Sequence, residues 1–122
     1  MRKESSTNAI NERFINAKCG MAVTLSLLNG RWKLHIIWHL LKGTLRYYEL
    51  KKRIPDVTER MLVKQLNSLV SDGVVEKRRI EGTVPAIVEY SMSPMGESLK
   101  PLLKDIERWG NQHKRKLAIL QH

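Results

Sequence analysis

Arg60, Lys64 and Asn67 are spaced by four and three residues, which places all three along one side of a helix if the stretch Thr58–Ser71 is helical. Side chains of these types share one chemistry. Arginine and lysine donate hydrogen bonds to the O6 and N7 acceptors of guanine or to phosphate oxygens, and asparagine pairs with the N6/N7 edge of adenine. Lys77, Arg78 and Arg79 follow as a run of three cations, and Lys51 and Lys52 precede. The central third of the chain is therefore rich in donors and positive charge.

Reactive chemistry is sparsely represented. There is no glycine-rich phosphate loop, no G-x-S-x-G and no carboxylate pair in an apolar setting, so no enzyme activity and no cofactor are expected. His35 and His39 stand at i, i+4, a spacing that can present two metal ligands on a helix face. No third ligand lies within sequence reach, and no metal site is expected. Cys19 is the sole cysteine. A sensing thiol needs exposure and activation, for which Lys18 is the one visible aid, whereas a buried lone cysteine behaves as a small hydrophobe.

The totals set bounds on the partner. The 122 residues with 42% hydrophobic content suffice for one core, read as a single domain over 1–122. Twenty-two Lys and Arg against twelve Asp and Glu give a formal charge of +10, which favours a polyanion such as nucleic acid or an acidic membrane surface. One cysteine forbids an intrachain disulfide and suits a reducing cytoplasm. The N-terminus has no apolar signal region and every long apolar stretch is interrupted, so neither export nor a membrane span is expected.

The elements that must position the donors follow from periodicity. Residues 1–9 are expected to be flexible, and Ile10, Phe14 and Ile15 suggest a short N-terminal helix. Two helices flank Asn29-Gly30, the second carrying Trp32, Ile36 and Leu40 and ending at Gly43. An extended piece at Thr44–Arg46 leads into a two-turn helix with Tyr47, Leu50 and Ile54 inward, closed by Pro55. Thr58 is placed as an N-cap, Leu62, Leu66, Leu69 and Val70 form a buried stripe, and Gly73 is the stop. Val74–Ile80 and Ala86–Met92 alternate as a hairpin around "EGTVP". Ser93-Pro94 starts a further helix with Leu99, Leu102, Ile106 and Trp109 in its apolar pattern, and Pro101 predicts a kink or a restart near Lys100.

This order, mainly α with a small β-hairpin, predicts a winged helix-turn-helix. The helix from Thr58 would enter the major groove of double-stranded DNA, with Lys77, Arg78 and Arg79 on the wing against the phosphates. "LLNGRWKLHIIWHLLKGTLRYYELKKRIPDVTERMLVKQLNSLVSDGVVEKRR" followed by "VEYSMSPMGESLKPLL" resembles the HxlR-type winged helix-turn-helix regulators of bacteria. Gly30-Arg31-Trp32-Lys33, Arg60-Met61-Leu62 with Leu66, Asp72-Gly73 with Val75-Glu76, and Val88-Glu89-Tyr90 before Gly96 carry the resemblance together.

The resemblance implies a cytoplasmic homodimer of MarR-like architecture, held by its N- and C-terminal helices, with Phe14 and the helix at 97–120 in the contact. The residues agree in part: Leu99, Leu102, Ile106, Trp109 and His113 approximate a 3.5-residue seam. Their alternative role is to close the monomer core. A two-fold dimer would read a palindromic operator with half-sites about 34 Å apart or a multiple of it, and a repressor is expected. Many members of the family carry a cysteine where Cys19 stands, and in some it senses quinones, aldehydes or oxidants; here Gly20 follows where proline is common. Two other classes stay open: an RNA-binding winged helix that grips a duplex by shape, and a protein-interaction adaptor.

Overall fold

Gly30 separates the first two helices, α1 (Gly20–Leu28) and α2 (Arg31–Leu40), in a computed structural model that describes residues 19–120. Its φ of +102° is a conformation that side-chain-bearing residues rarely adopt. The segment 1–9 read as flexible, the expected N-terminal helix and Phe14 lie outside the described residues.

On α2 the buried positions are Lys33, Ile36, Ile37 and Leu40, a stripe at i, i+3, i+4 and i+7. Lys33 is only 8% exposed, so its methylene stem is part of the stripe. After β1 (Leu45–Arg46) comes α3 (Tyr47–Arg53), whose start is fixed by the Arg46 N–H donating to Glu49 Oε1 at 2.7 Å. Leu50, Ile54 and Val57 are buried beneath it.

The next helix, α4 (Glu59–Ser71), begins where its sequence says it should. Thr58 Oγ1 accepts from the Met61 N–H at 3.1 Å, satisfying one of the free first-turn donors. At the other end the Gly73 N–H donates to Val70 O and the Val74 N–H to Leu69 O, a Schellman closure that needs the positive φ of Gly73.

The hairpin strands are β2 (Val75–Ile80) and β3 (Ile87–Met92), in antiparallel register from Val75 opposite Met92 to Ile80 opposite Ile87. The sheet has a third strand. β1 pairs with β3, Leu45 opposite Tyr90 and Arg46 opposite Glu89, giving the order β1-β3-β2. A two-residue strand has no period of its own, so this pairing was not visible in the local pattern.

Ser93 caps the one-turn α5 (Pro94–Glu97), and α6 (Lys100–Leu120) restarts after Ser98-Leu99. The helix expected over 97–120 is thus divided, with Leu99 in the turn and Pro101 in the first turn of α6, where a missing N–H costs no intrahelical bond. Among the described residues no helix is long and apolar enough to cross a membrane. The core gathers Ile36, Ile37, Leu50, Leu62, Leu66, Leu69 and Val75 from four elements, with Val74 from the turn before β2, while α6 buries only Leu103 in it.

Candidate nucleic-acid interface

The leucine stripe of α4 determines which side of that helix faces water. Leu62, Leu66 and Leu69 are 0–1% exposed. Arg60, Lys64 and Asn67 are all exposed, on the opposite edge. At the usual rise of an α-helix their backbone positions span about 10 Å. Thr58 is exposed too, with its hydroxyl oxygen already serving as the cap acceptor.

The cations around this edge are largely uncommitted. Among the described residues Arg60, Lys64, Lys52, Lys77 and Arg78 make no ion pair. Lys51 is partly occupied, its Nζ donating to Pro55 O at 3.0 Å, and the Lys52 ammonium stands 5.6 Å from the Tyr48 ring centre. A surface whose positive charges lack internal partners is available to an external polyanion.

The wing cations fall on two faces of their strand. Side chains alternate along a strand, so Lys77 and Arg79 share the face of their cross-strand partners Tyr90 and Val88, while Arg78 shares the other with Glu89. Lys77 lies at mid-strand, and Arg79 Nε is 3.4 Å from Glu81 Oε1 at the start of the turn. Sequence reading named the three cations and overlooked Glu81, an exposed partner of the kind that contributes little to stability.

A feature absent from the sequence reading lies between the wing and the helix-turn-helix. Arg46, Tyr47 and Tyr48 form one wall of a cleft of about 310 Å³, and Pro85, Ala86, Ile87 and Val88 form the other. The Tyr47 hydroxyl donates to Glu59 O, in the first turn of α4, at 3.5 Å. Burial, assisted by the Glu59 carboxylate, pushes the Tyr47 phenol above its ordinary range and keeps it protonated at neutral pH. The signal for this site is the meeting of β1 with β3, which no local period encodes.

The remaining candidates sit apart from that surface. Cys19 is exposed and occupies the N-cap position of α1. His39 has its Nδ1 buried without a partner, and burial, then the charges of Lys42, Arg53 and His35, hold its pKa below the ordinary value. Among the described residues no three His, Cys, Asp or Glu side chains are grouped to hold a metal.

The outer face of α6 is apolar and uncovered. Leu102, Ile106 and Trp109 are exposed, Trp109 at 57%. The His113 ring stacks on Trp109 with centroids 4.3 Å apart and its Nδ1 is 2.9 Å from Trp109 O. Met21 and Leu25 on α1 are likewise exposed, Leu25 at 61%.

A helix, a tight turn, a capped helix with a solvated basic edge and a β-wing define a winged helix-turn-helix, the architecture of DNA-binding transcriptional regulators. The HxlR-like helix-turn-helix family model matches residues 27–118, and the chain belongs to that family. It is 40% identical over 95 residues to the HTH-type transcriptional regulator YkvN of Bacillus subtilis strain 168, covering 78% of this chain and 80% of YkvN. Among solved structures it is similar to the redox regulator HypR in its reduced form, with a TM-score of 0.78, 32% identity, and 82% of this chain and 98% of that one covered. The reduced transcriptional regulator YodB from B. subtilis aligns with a TM-score of 0.68 at 28% identity, over 79% of this chain and 94% of YodB. The protein is a transcriptional regulator and not an enzyme.

Proposed function

We propose that the protein is a homodimeric repressor that binds a palindromic operator in double-stranded DNA. The carrying observation is the amphipathic division of α4, with leucines fully inside and Arg60, Lys64 and Asn67 on the outer edge. In this reading those side chains meet base edges and Thr58 lies at the helix entry. Lys51, Lys52, Lys77, Arg78 and Arg79 supply phosphate contacts. The exposed α6 face of Leu102, Ile106 and Trp109, with His113 stacked on it and Leu99 in the turn before it, packs on a second copy. The whole of 1–122 acts as one DNA-binding unit.

Selection of bound fragments from the source genome, followed by competition between duplex DNA and duplex RNA of the recovered sequence, tests the reading. An inverted repeat preferred over random DNA and over RNA supports it. Equal affinity for operator and random duplex overturns it, and preference for the RNA points to a shape-reading RNA binder.

A second element of the reading is regulation through Cys19. It is supported by the exposure of the thiol and by similarity to HypR, whose own description is that of a redox regulator. Operator affinity measured before and after treatment with a quinone or an aldehyde, in wild type and Cys19→Ser, is the test. A response lost in the variant supports sensing, and identical responses end the idea.

A further inference from the structure

We infer that the cleft between the wing and β1 is a seat for one backbone phosphate and its sugar, with Arg46 as the phosphate ligand. This rests on the duplex-DNA reading above and adds contacts outside both the recognition helix and the wing cations.

The location comes first. One wall holds Tyr47, whose hydroxyl touches the first turn of α4, and the other is the turn end of the wing, Pro85 and Ala86 with the start of β3. A duplex read by α4 in one groove and by the wing in the next must pass a strand of its backbone between those two elements. This cleft borders that path, since Tyr47 in its lining touches the first turn of α4 and Ile87 and Val88 belong to the wing.

The charge of the lining suits that occupant. Arg46 is the only charged residue in it. Its guanidinium makes no ion pair among the described residues, because Glu49 is engaged with the backbone N–H of Arg46 and Glu89, opposite in the register, lies beyond ion-pair distance. A partly buried, unpaired guanidinium offers fork-shaped donors that match phosphate oxygens.

The second wall completes the match. Ala86, Ile87 and Val88 are apolar and half-buried, and they present carbon to whatever sits opposite Arg46. A nucleotide backbone has an anionic edge and a hydrocarbon edge, the phosphate and the deoxyribose. Docking there would also fix the angle of the wing relative to α4, so Arg46 would act on affinity for all sequences.

Ethylation interference and salt titration on the operator selected above, with wild type, Arg46→Gln, Arg46→Lys and Ala86→Glu, test the assignment. In wild type one phosphate per half-site should interfere when ethylated and be silent in Arg46→Gln. That variant should bind operator and random duplex roughly tenfold more weakly, with the slope of log affinity against log salt reduced by about 0.9 per phosphate lost. Arg46→Lys should keep most of the slope, and Ala86→Glu should weaken binding from the opposite wall with the Arg46 side intact. Thermal melts of each variant separate misfolding from lost contact, and Ala86→Glu carries the test if Arg46→Gln does not fold. A folded Arg46→Gln with the wild-type interference pattern and slope overturns the inference while leaving DNA binding in place. A wild type that binds neither duplex overturns both.

Discussion

The hydroxyl of Ser93 lies 2.6 Å from the Gly73 carbonyl oxygen, joining the residue that ends α4 to the residue that begins α5. Ser93 Oγ also accepts from the Gly96 N–H at 3.0 Å, and the Ser93 N–H donates to Val74 O at 3.1 Å. Ser93 is buried, so each of these groups would lack a water substitute if its partner were removed. The exit of the recognition helix and the entrance to the α6 seam are therefore tied through one side chain.

Removing that hydroxyl should be costly. Ser93→Ala leaves the Gly96 N–H and the Gly73 carbonyl without their partner, and a destabilisation of about 2 kcal/mol is expected. Gly96→Ala should cost roughly 3 kcal/mol, the upper end of overpacking, because a Cβ there would collide with the Val74 carbonyl, a backbone atom that cannot turn aside. Urea unfolding monitored by circular dichroism measures both. A Gly96→Ala protein as stable as wild type would show that the α5 turn can shift away from Val74.

Much of this fold was legible in the chain because its helices are amphipathic and punctuated. Thr58 and Gly73 bracket α4 as read, with leucines at i, i+4 and i+7, and Pro101 marks the restart of α6. What stayed hidden depends on contacts distant in sequence. The pairing of Leu45 with Tyr90, the cleft that Arg46 shares with Ala86, and the Ser93–Gly73 bond each join segments at least 20 residues apart. The division of Lys77 and Arg78 between two faces follows from strand alternation and was legible in the run itself.

Acid should weaken the fold through His39. Burial, then Lys42, Arg53 and His35, lowers its pKa in the native state, whereas the unfolded chain takes up the proton near the ordinary 6.5. Below about pH 6.5 the unfolded state thus binds more protons, so stability falls as pH drops through that window and is fully present above it. His39→Leu removes both the titration and the unpartnered Nδ1, and it should flatten this acid limb while leaving stability at pH 7.5 unchanged or slightly higher. Chemical denaturation at pH 5.5 and 7.5 gives the comparison. An equal pH dependence in wild type and variant assigns the limb to other groups.

The outer edge of α4 and the wing should fail in different ways. Arg60→Ala is expected to lose about 1–3 kcal/mol on the operator and to relax discrimination at one base pair, as removal of a bidentate base contact does. Lys77→Ala should weaken operator and random duplex alike and lower the salt slope by about 0.9. Leu66→Ala, on the buried stripe, should lose about 2–5 kcal/mol of folding stability instead and affect binding only through the fold. Fluorescence anisotropy on operator, single-base variants and random duplex separates the three. If Arg60→Ala discriminates bases as sharply as wild type, the base contact belongs to Lys64 or Asn67.

The α6 face should prove to be the site of self-association. Ile106 lies one turn from Leu102 and from Trp109 on an exposed apolar strip, its inner edge bordering Leu34, His35 and Trp38 of α2. A carboxylate at Ile106 would be desolvated on pairing with a twin but stays in water in the monomer, so Ile106→Glu should leave the monomer fold intact and shift the protein to monomer. Each monomer then offers half of the phosphate contacts, and the salt slope on the operator should fall to about half the wild-type value. The gain from binding two linked half-sites, typically a factor of 10² or more, would be lost with it. Sedimentation velocity at micromolar protein, with anisotropy on the same samples, reads both quantities. An Ile106→Glu protein that still sediments as a dimer would place the contact elsewhere, with the exposed Met21 and Leu25 of α1 as the next face to substitute.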